Sequence, residues 1–157
     1  MIFSRIWRAA RFDAALYQEL QSDPIARLQS IVIVVLGIFA SALGGAIAAQ
    51  FSGSISTASS ISTALALMPG IWLVGTVSVY VLGGLSQGLR GAKVNDRHVF
   101  TAMGFAAAPS FLLLFVAIPI VWIVVLLWIP ASMAFAAKNT MDISLLRAIS
   151  SVSYTHL

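Results

Sequence analysis

Charge is the scarcest commodity in this sequence. Its 157 residues include nine Lys and Arg, five Asp and Glu and two His, so 9% of the chain is charged while 60% is hydrophobic. Soluble domains carry about 25% charged and about 45–50% apolar residues. A core of this size has no room for so much apolar surface, and so few charges cannot coat the outside. A soluble domain, a disordered tail and a collagen-like fibre are thereby excluded. Cysteine is absent, which removes disulfide frameworks, thiolate metal sites and cysteine nucleophiles. Two histidines fall short of a metal site with three protein ligands. No phosphate-cradling glycine loop and no nucleophile–base pair is present either. The expected fold is an all-α polytopic membrane bundle, non-enzymatic and without cofactor or metal.

The charges that do exist are unevenly placed. Residues 1–28 form an N-terminal segment in which Phe3, Trp7, Ala10, Ala14 and Tyr17 recur at steps of three and four. Arg5, Arg8 and Arg11 lie between them. That periodicity predicts an amphipathic helix with a basic flank, suited to a membrane interface or to packing on the protein's own loops. Ser22-Asp23-Pro24 reads as a helix start, Asp23 as N-cap and Pro24 at the first helical position.

Residues 29–151 read as one transmembrane domain, with spans at about 31–50, 65–85, 100–117 and 120–137. The first contains two rows of small residues, Ala40/Gly44/Ala48 and Ser41/Gly45/Ala49, which permit close helix approach where lipid supplies no hydrophobic drive. Residues 51–63 are rich in Ser, Thr and Gly and read as a polar loop. The uncharged run 100–137 would extend about 57 Å as one helix, against about 30 Å of hydrocarbon. Pro119 supplies the turn that divides it, while Pro109 and Pro130 should kink the two halves. His98 reads as a solvated loop residue.

Asp142 or Ser144 can cap a further helix, a fifth span beginning at about 144. Residues 152–157 read VSYTHL, which looks like the translation of GTC TCT TAT ACA CAT CT, a transposon-end sequence used in sequencing libraries. The expectation is a native chain that continues into that fifth span.

No Asp, Glu, Lys, Arg or His lies inside any of the four spans, so the proton relays and ion sites of pumps are missing from the membrane interior. All nine basic residues fall in the N-terminal segment, in 86–99 or after 137. Short basic loops stay cytoplasmic, which predicts a cytoplasmic N-terminus and an even number of crossings before residue 138. The basic excess therefore reads as topology control and contact with anionic lipid rather than nucleic-acid binding.

Several motifs are similar to one family. Phe12-Asp13-Ala14, then Tyr17, Glu19-Leu20 and Asp23-Pro24, resembles the N-terminal segment of bacterial members of the Yip (Ypt/Rab-interacting protein) family. Gly104-Phe105-Ala106 with Pro109 looks like that family's third-span element, and Trp128 resembles a recurring fourth-span tryptophan. Met141-Asp142-Ile143-Ser144 with Arg147-Ala148 looks like the lead into its fifth helix. The resemblance implies a five-span integral membrane protein with a cytosolic N-terminus. Eukaryotic relatives act in vesicle trafficking and associate with small GTPases and one another. This chain has no long acidic-aromatic N-terminal region, so GTPase binding is not carried over.

The resulting expectation is a bacterial inner-membrane protein that organises membrane-protein partners, copies of itself or lipids. The alternative is a transporter, channel or permease subunit for a neutral or lipid-like molecule. Arg147 is expected to snorkel to the cytosolic interface, near Asp142 or Asp23, and to serve topology. The alternative is a coupled site of Asp23 and Arg147 at the inner mouth of the bundle.

Overall fold

A computed structural model of the chain describes residues 2–53, 56–88 and 96–141. Helices α1 (Ile2–Ala10), α2 (Ala14–Ser22), α3 (Ala26–Ser52), α4 (Thr57–Gly88), α5 (Asp96–Ala106) and α6 (Pro119–Met141) alternate with short turns, and a 3-10 helix over Ala108–Phe115 extends α5. Among the described residues there is no strand. Four stretches are long and apolar enough to cross a membrane: Ala26–Phe51, Thr57–Val81, Arg97–Phe115 and Pro119–Met141. The chain is an all-α, multi-pass membrane protein.

The N-terminal segment is two helices, not one continuous stripe. Phe12 adopts a left-handed conformation, φ 58°, which is uncommon for a bulky residue and ends α1. The Asp13 side chain then caps α2 by accepting from the Ala15 N–H at 2.9 Å. Asp23 is not the expected N-cap of α3: it ends α2 and accepts from the Ile25 N–H at 2.8 Å within the turn, and Ile25 itself is the N-cap. Pro24 therefore occupies the turn, and α3 begins at Ala26 rather than at Pro24.

At the other end of α3, Gly53 closes the helix in the left-handed conformation, φ 62°, with its N–H donating to the Ala49 carbonyl. The Ser/Thr-rich segment is not a loop throughout. The Ser56 hydroxyl accepts from the Ser59 N–H at 3.1 Å, and α4 starts at Thr57. The Gln50 amide donates to the Thr57 hydroxyl at 2.5 Å, tying the ends of α3 and α4 together. His98 lies in the first turn of α5, half-buried, rather than in a loop.

Pro109 does more than kink the third span. It has no N–H for the Phe105 carbonyl, so α-helical bonding stops. The Ala107 N–H is shared between the Met103 and Gly104 carbonyls, and Ser110 donates to Ala107 at 2.9 Å. At about 2.0 Å rise per residue, the eight 3-10 residues cover about 16 Å. With α5 adding a similar length, the pair reaches across the hydrocarbon. Pro119 then opens α6, where its missing N–H costs no helical bond.

The third span is 61% buried, against 22–33% for the other three. It is the centre that the others surround. The main buried cluster lies toward the end bearing Arg27, Arg97 and Lys138, the basic end hereafter. Leu16, Tyr17 and Leu20 of α2 pack there with Ile33, Val79, Val99, Met103, Phe105 and Ala137. The outward surfaces are apolar along the spans, Leu127 being 68% exposed, as a lipid-facing wall requires.

Contact between α3 and the third span is glycine-mediated. A Cβ on Gly44 would fall on the Leu113 carbonyl oxygen and 2.9 Å from Leu114 Cα. On Gly104 it would lie 2.6 Å from Ser30 Cβ, and on Gly37 it would strike the movable Ser110 hydroxyl. Gly44 and Gly104 both meet backbone, closest at Gly44, where all three nearest atoms are main-chain, whereas at Gly104 the Ser30 carbonyl oxygen and carbon lie at 3.0 and 3.1 Å. Gly44→Ala should therefore destabilise the bundle by about 1–3 kcal/mol or more, ahead of Gly104→Ala and Gly37→Ala. Gly70→Ala, where a Cβ meets nothing within 4 Å, should gain about 0.5–1 kcal/mol. Thermal unfolding in detergent followed by circular dichroism orders the four.

Candidate functional site

Two features draw functional side chains together, a cleft in the bundle wall and a clasp at the basic end. The cleft lies between α4 and α6, with its floor on α3 and the 3-10 helix. Its volume is about 640 Å³, within the range of small-molecule sites. Gly37 and Ser110 form part of the floor, Gly70 and Gly75 part of one wall, and Trp122 and Met133 the two ends of the other. Leu67, Ile71 and Val74 of α4 and Leu126 of α6 line it while remaining about half exposed. The mouth therefore opens sideways through the bundle wall, toward lipid. From Trp122 to Met133 is eleven residues, about 16 Å along α6, close to half the hydrocarbon thickness.

Among the described residues no ionisable side chain lines the cleft. Its side-chain polar groups are the Ser110 hydroxyl and two indoles, and the Trp72 indole N–H is already committed to the Met103 carbonyl at 3.3 Å. Such a surface attracts hydrocarbon and has no means of recognising a charged group.

The clasp joins α1, α2 and the start of α3. Arg5 donates to Glu19 through Nη2 at 2.7 Å and to the Gln29 amide oxygen through Nη1 at 2.7 Å, and its Nη2 lies 2.6 Å from Asp23. Arg8 reaches Asp13 and Glu19, both at 2.6 Å. Hydrogen bonding from Arg8 holds the Asp13 and Glu19 carboxyls below their ordinary range, with Arg5 adding to the effect on Glu19. The Ile25 N–H, followed by Arg5, does the same for Asp23.

The hairpin is pinned to α6 as well. The Trp128 indole N–H donates to the Ala10 carbonyl at 3.2 Å. The Phe12 and Tyr17 rings meet Phe135 edge-on at 5.5 and 6.0 Å. Tyr17 is buried and its hydroxyl has no hydrogen-bond partner among the described residues, and desolvation raises its pKa.

The residues singled out by sequence fall in different places. Asp23 belongs to the clasp, where its cationic partner is Arg5. Pro24 shapes the turn beside it. Gly44 and Gly104 are the close contacts of α3 with the third span, and Phe105 is fully buried in the cluster. Pro109 starts the 3-10 helix, Pro119 starts α6 and Trp128 anchors the hairpin. Asp142, Arg147, the fifth helix and residues 152–157 lie outside the described residues, as do Arg90 and Lys93 of the basic loop.

Of the intramembrane hydroxyls, Thr76 and Thr101 bond back to the Trp72 and Arg97 carbonyls, both at 2.8 Å. Ser132 is buried without a hydrogen-bond partner among the described residues. Sequence reasoning missed Gly37, Gly70, Gly75 and Ser110. Their signal is small side chains in three different spans, which becomes a cleft only once the spans are placed side by side. No protein-family model, curated protein or solved structure matches this chain.

The clasp carries a pH dependence of definite sign. Carboxyls with lowered pKa stabilise the folded hairpin fully above the ordinary Asp and Glu values of about 3.9 and 4.3. That contribution is lost as pH falls below those values and through the lowered ones. Amide exchange over α2, corrected for intrinsic rate, should accelerate relative to α6 once the pH passes below about 4. Equal protection of both helices at pH 6 and pH 3 would contradict the clasp.

Proposed function

We propose that the protein is a non-enzymatic lipid-organising membrane protein of the bacterial inner membrane, holding one hydrocarbon chain of a bilayer lipid in the α4–α6 cleft. The observation that carries this reading is the cleft's combination of apolar lining, sideways mouth and half-bilayer length. Trp122 sits one turn from the start of α6, the depth at which amphipathic rings favour the interface. A chain entering there lies along α6 toward Met133 with its headgroup left in the opposite leaflet to the basic end. With no ionisable group in the lining, selection acts on the chain and not on the headgroup.

The N-terminus and the basic end are placed on the cytoplasmic side. Support comes from the charge pattern, since Arg27, Arg97 and Lys138 mark helix ends that antiparallel packing brings to one face. The ordered motifs similar to the Yip family, from Phe12-Asp13-Ala14 to Trp128, support a role that organises lipids or protein partners. Small-GTPase binding has no such support in this chain.

A second reading, passage of a neutral or lipid-like molecule, is favoured by the prolines of the cleft walls. Pro69 lies between the lining residues Met68 and Gly70, and Pro130 itself lines the cleft. Both interrupt helical bonding where two walls would have to move apart.

Gly70→Leu tests the lipid reading without disturbing the backbone, because its side chain grows into open space. In nanodiscs, photocrosslinking of an acyl-diazirine lipid to α4 and α6 should fall about tenfold in this variant, equivalent to about 1.4 kcal/mol. Undiminished crosslinking overturns the reading. Lipid scrambling or solute flux above empty vesicles would favour transport instead. Orientation is checked with single cysteines in intact cells. Ser56→Cys should react with an impermeant thiol reagent, whereas Lys93→Cys should react only after permeabilisation.

A further inference from the structure

The α1–α2 hairpin is rich in arginine, yet it is attached inside the level of the nearest bundle cation. Lys138 lies in the last turn of α6. Phe135, which receives Phe12 and Tyr17, is three residues or about 4.5 Å further into the span. Trp128, which binds the Ala10 carbonyl, is ten residues or about 15 Å further in. The turn between α1 and α2 is therefore held between those two levels. Half the hydrocarbon core is about 15 Å thick.

Charge placement fits that depth. Arg5 and Arg8, on the side of α1 facing α2 and α3, are neutralised by Glu19, Asp13 and Asp23, as charges leaving water must be. The opposite edge of α1 exposes Phe3 at 81% and Trp7 at 64%. Arg11 lies beyond them, exposed, its guanidinium 5.7 Å from the Trp7 ring centre. Trp7 is one turn nearer the basic end, so Arg11 reaches back toward the headgroup level as a snorkelling cation does. Among the described residues no carboxylate lies within ion-pair distance of Arg11. The outward face of α2 is polar at Gln18 and Gln21, suited to water.

We infer that α1 is seated in the leaflet at the basic end, its Phe3–Trp7 edge among acyl chains and Arg11 on the phosphate of an anionic lipid, with α2 covering it on the aqueous side. The occupant follows from complementarity, since a lipid offers an apolar chain to the aromatic edge and a negative group to Arg11, which has no carboxylate partner among the described residues. This inference is independent of the cleft and concerns the other leaflet.

The cysteine-free chain permits a direct test, with all 157 residues reconstituted in liposomes. Nitroxide labels are placed at Phe3→Cys and Gln18→Cys, with Leu127→Cys as the acyl-chain reference and Ser56→Cys as the aqueous one. Collision with oxygen should dominate at position 3, as at 127, and collision with a water-soluble nickel chelate at position 18, as at 56. Nickel access at position 3 equal to that at 56 overturns the seating. In phosphatidylcholine vesicles containing spin-labelled phosphatidylglycerol, Arg11→Gln should shrink the motionally restricted lipid fraction, and Arg11→Lys should restore part of it. An unchanged fraction in Arg11→Gln, or displacement of the lipid by millimolar inorganic phosphate, overturns the headgroup contact.

Discussion

Backbone-to-backbone approach between α3 and the third span sets the rest of this architecture. In hydrocarbon the lipid tails are as apolar as the helices, so burial alone does not draw spans together, and van der Waals packing must do so. Gly44 lets the Leu113 carbonyl come against α3, while Gly104 admits Ser30. That contact makes the third span the most enclosed of the four. It also allows the third span to be irregular. A 3-10 helix with a proline exposes carbonyl groups that lipid could not satisfy, and such backbone is tolerated at membrane depth only where protein covers it.

The two halves of the bundle solve opposite problems. At the basic end α2 supplies Leu16, Tyr17 and Leu20 to a filled cluster, in effect an extra layer that lies outside the four spans. Among the described residues no such layer lies toward the other end, and the cleft separates α4 from α6 there. Filling one end holds the helices in register, which lets the other end stay open without collapse. The Trp128–Ala10 bond connects the two regions, because Trp128 lies on α6 between the cleft-lining Leu126 and Ile129.

The spans themselves were legible because hydropathy and length are one-dimensional properties. Pro119 as a turn and Gly44 as a contact were legible for the same local reason. The start of α4 was not, since Ser and Thr suggest a loop by composition, whereas Ser56 capping and the Gln50–Thr57 bond make them helical. The N-terminal stripe had the correct period, but the break at Phe12 carries no glycine or asparagine to announce a left-handed residue. The Asp13 cap was the available signal. Asp23 does bond the Ile25 N–H, but it does so within the turn, and Ile25 rather than Asp23 is the N-cap of α3. Its charge partner Arg5 is brought in by the hairpin, which no spacing rule predicts. The cleft is made of missing side chains on separate helices and has no linear signature.

Proline placement explains where the cleft forms. Pro24 and Pro119 stand in a turn and at a helix start, positions where the absent N–H costs little. The three within the spans all border the cleft, Pro69 between Met68 and Gly70, Pro109 between Ala107 and Ser110, and Pro130 in the lining itself. Each removes a helical bond and pushes its ring against the preceding turn, so each bends a wall or floor away from a straight packing path. Pro130 also leaves the Leu126 carbonyl without its usual helical donor. A bundle selected only for tight packing would place such residues at its ends. Their convergence from three spans on one apolar space is what the proposed hydrocarbon-chain occupant would require.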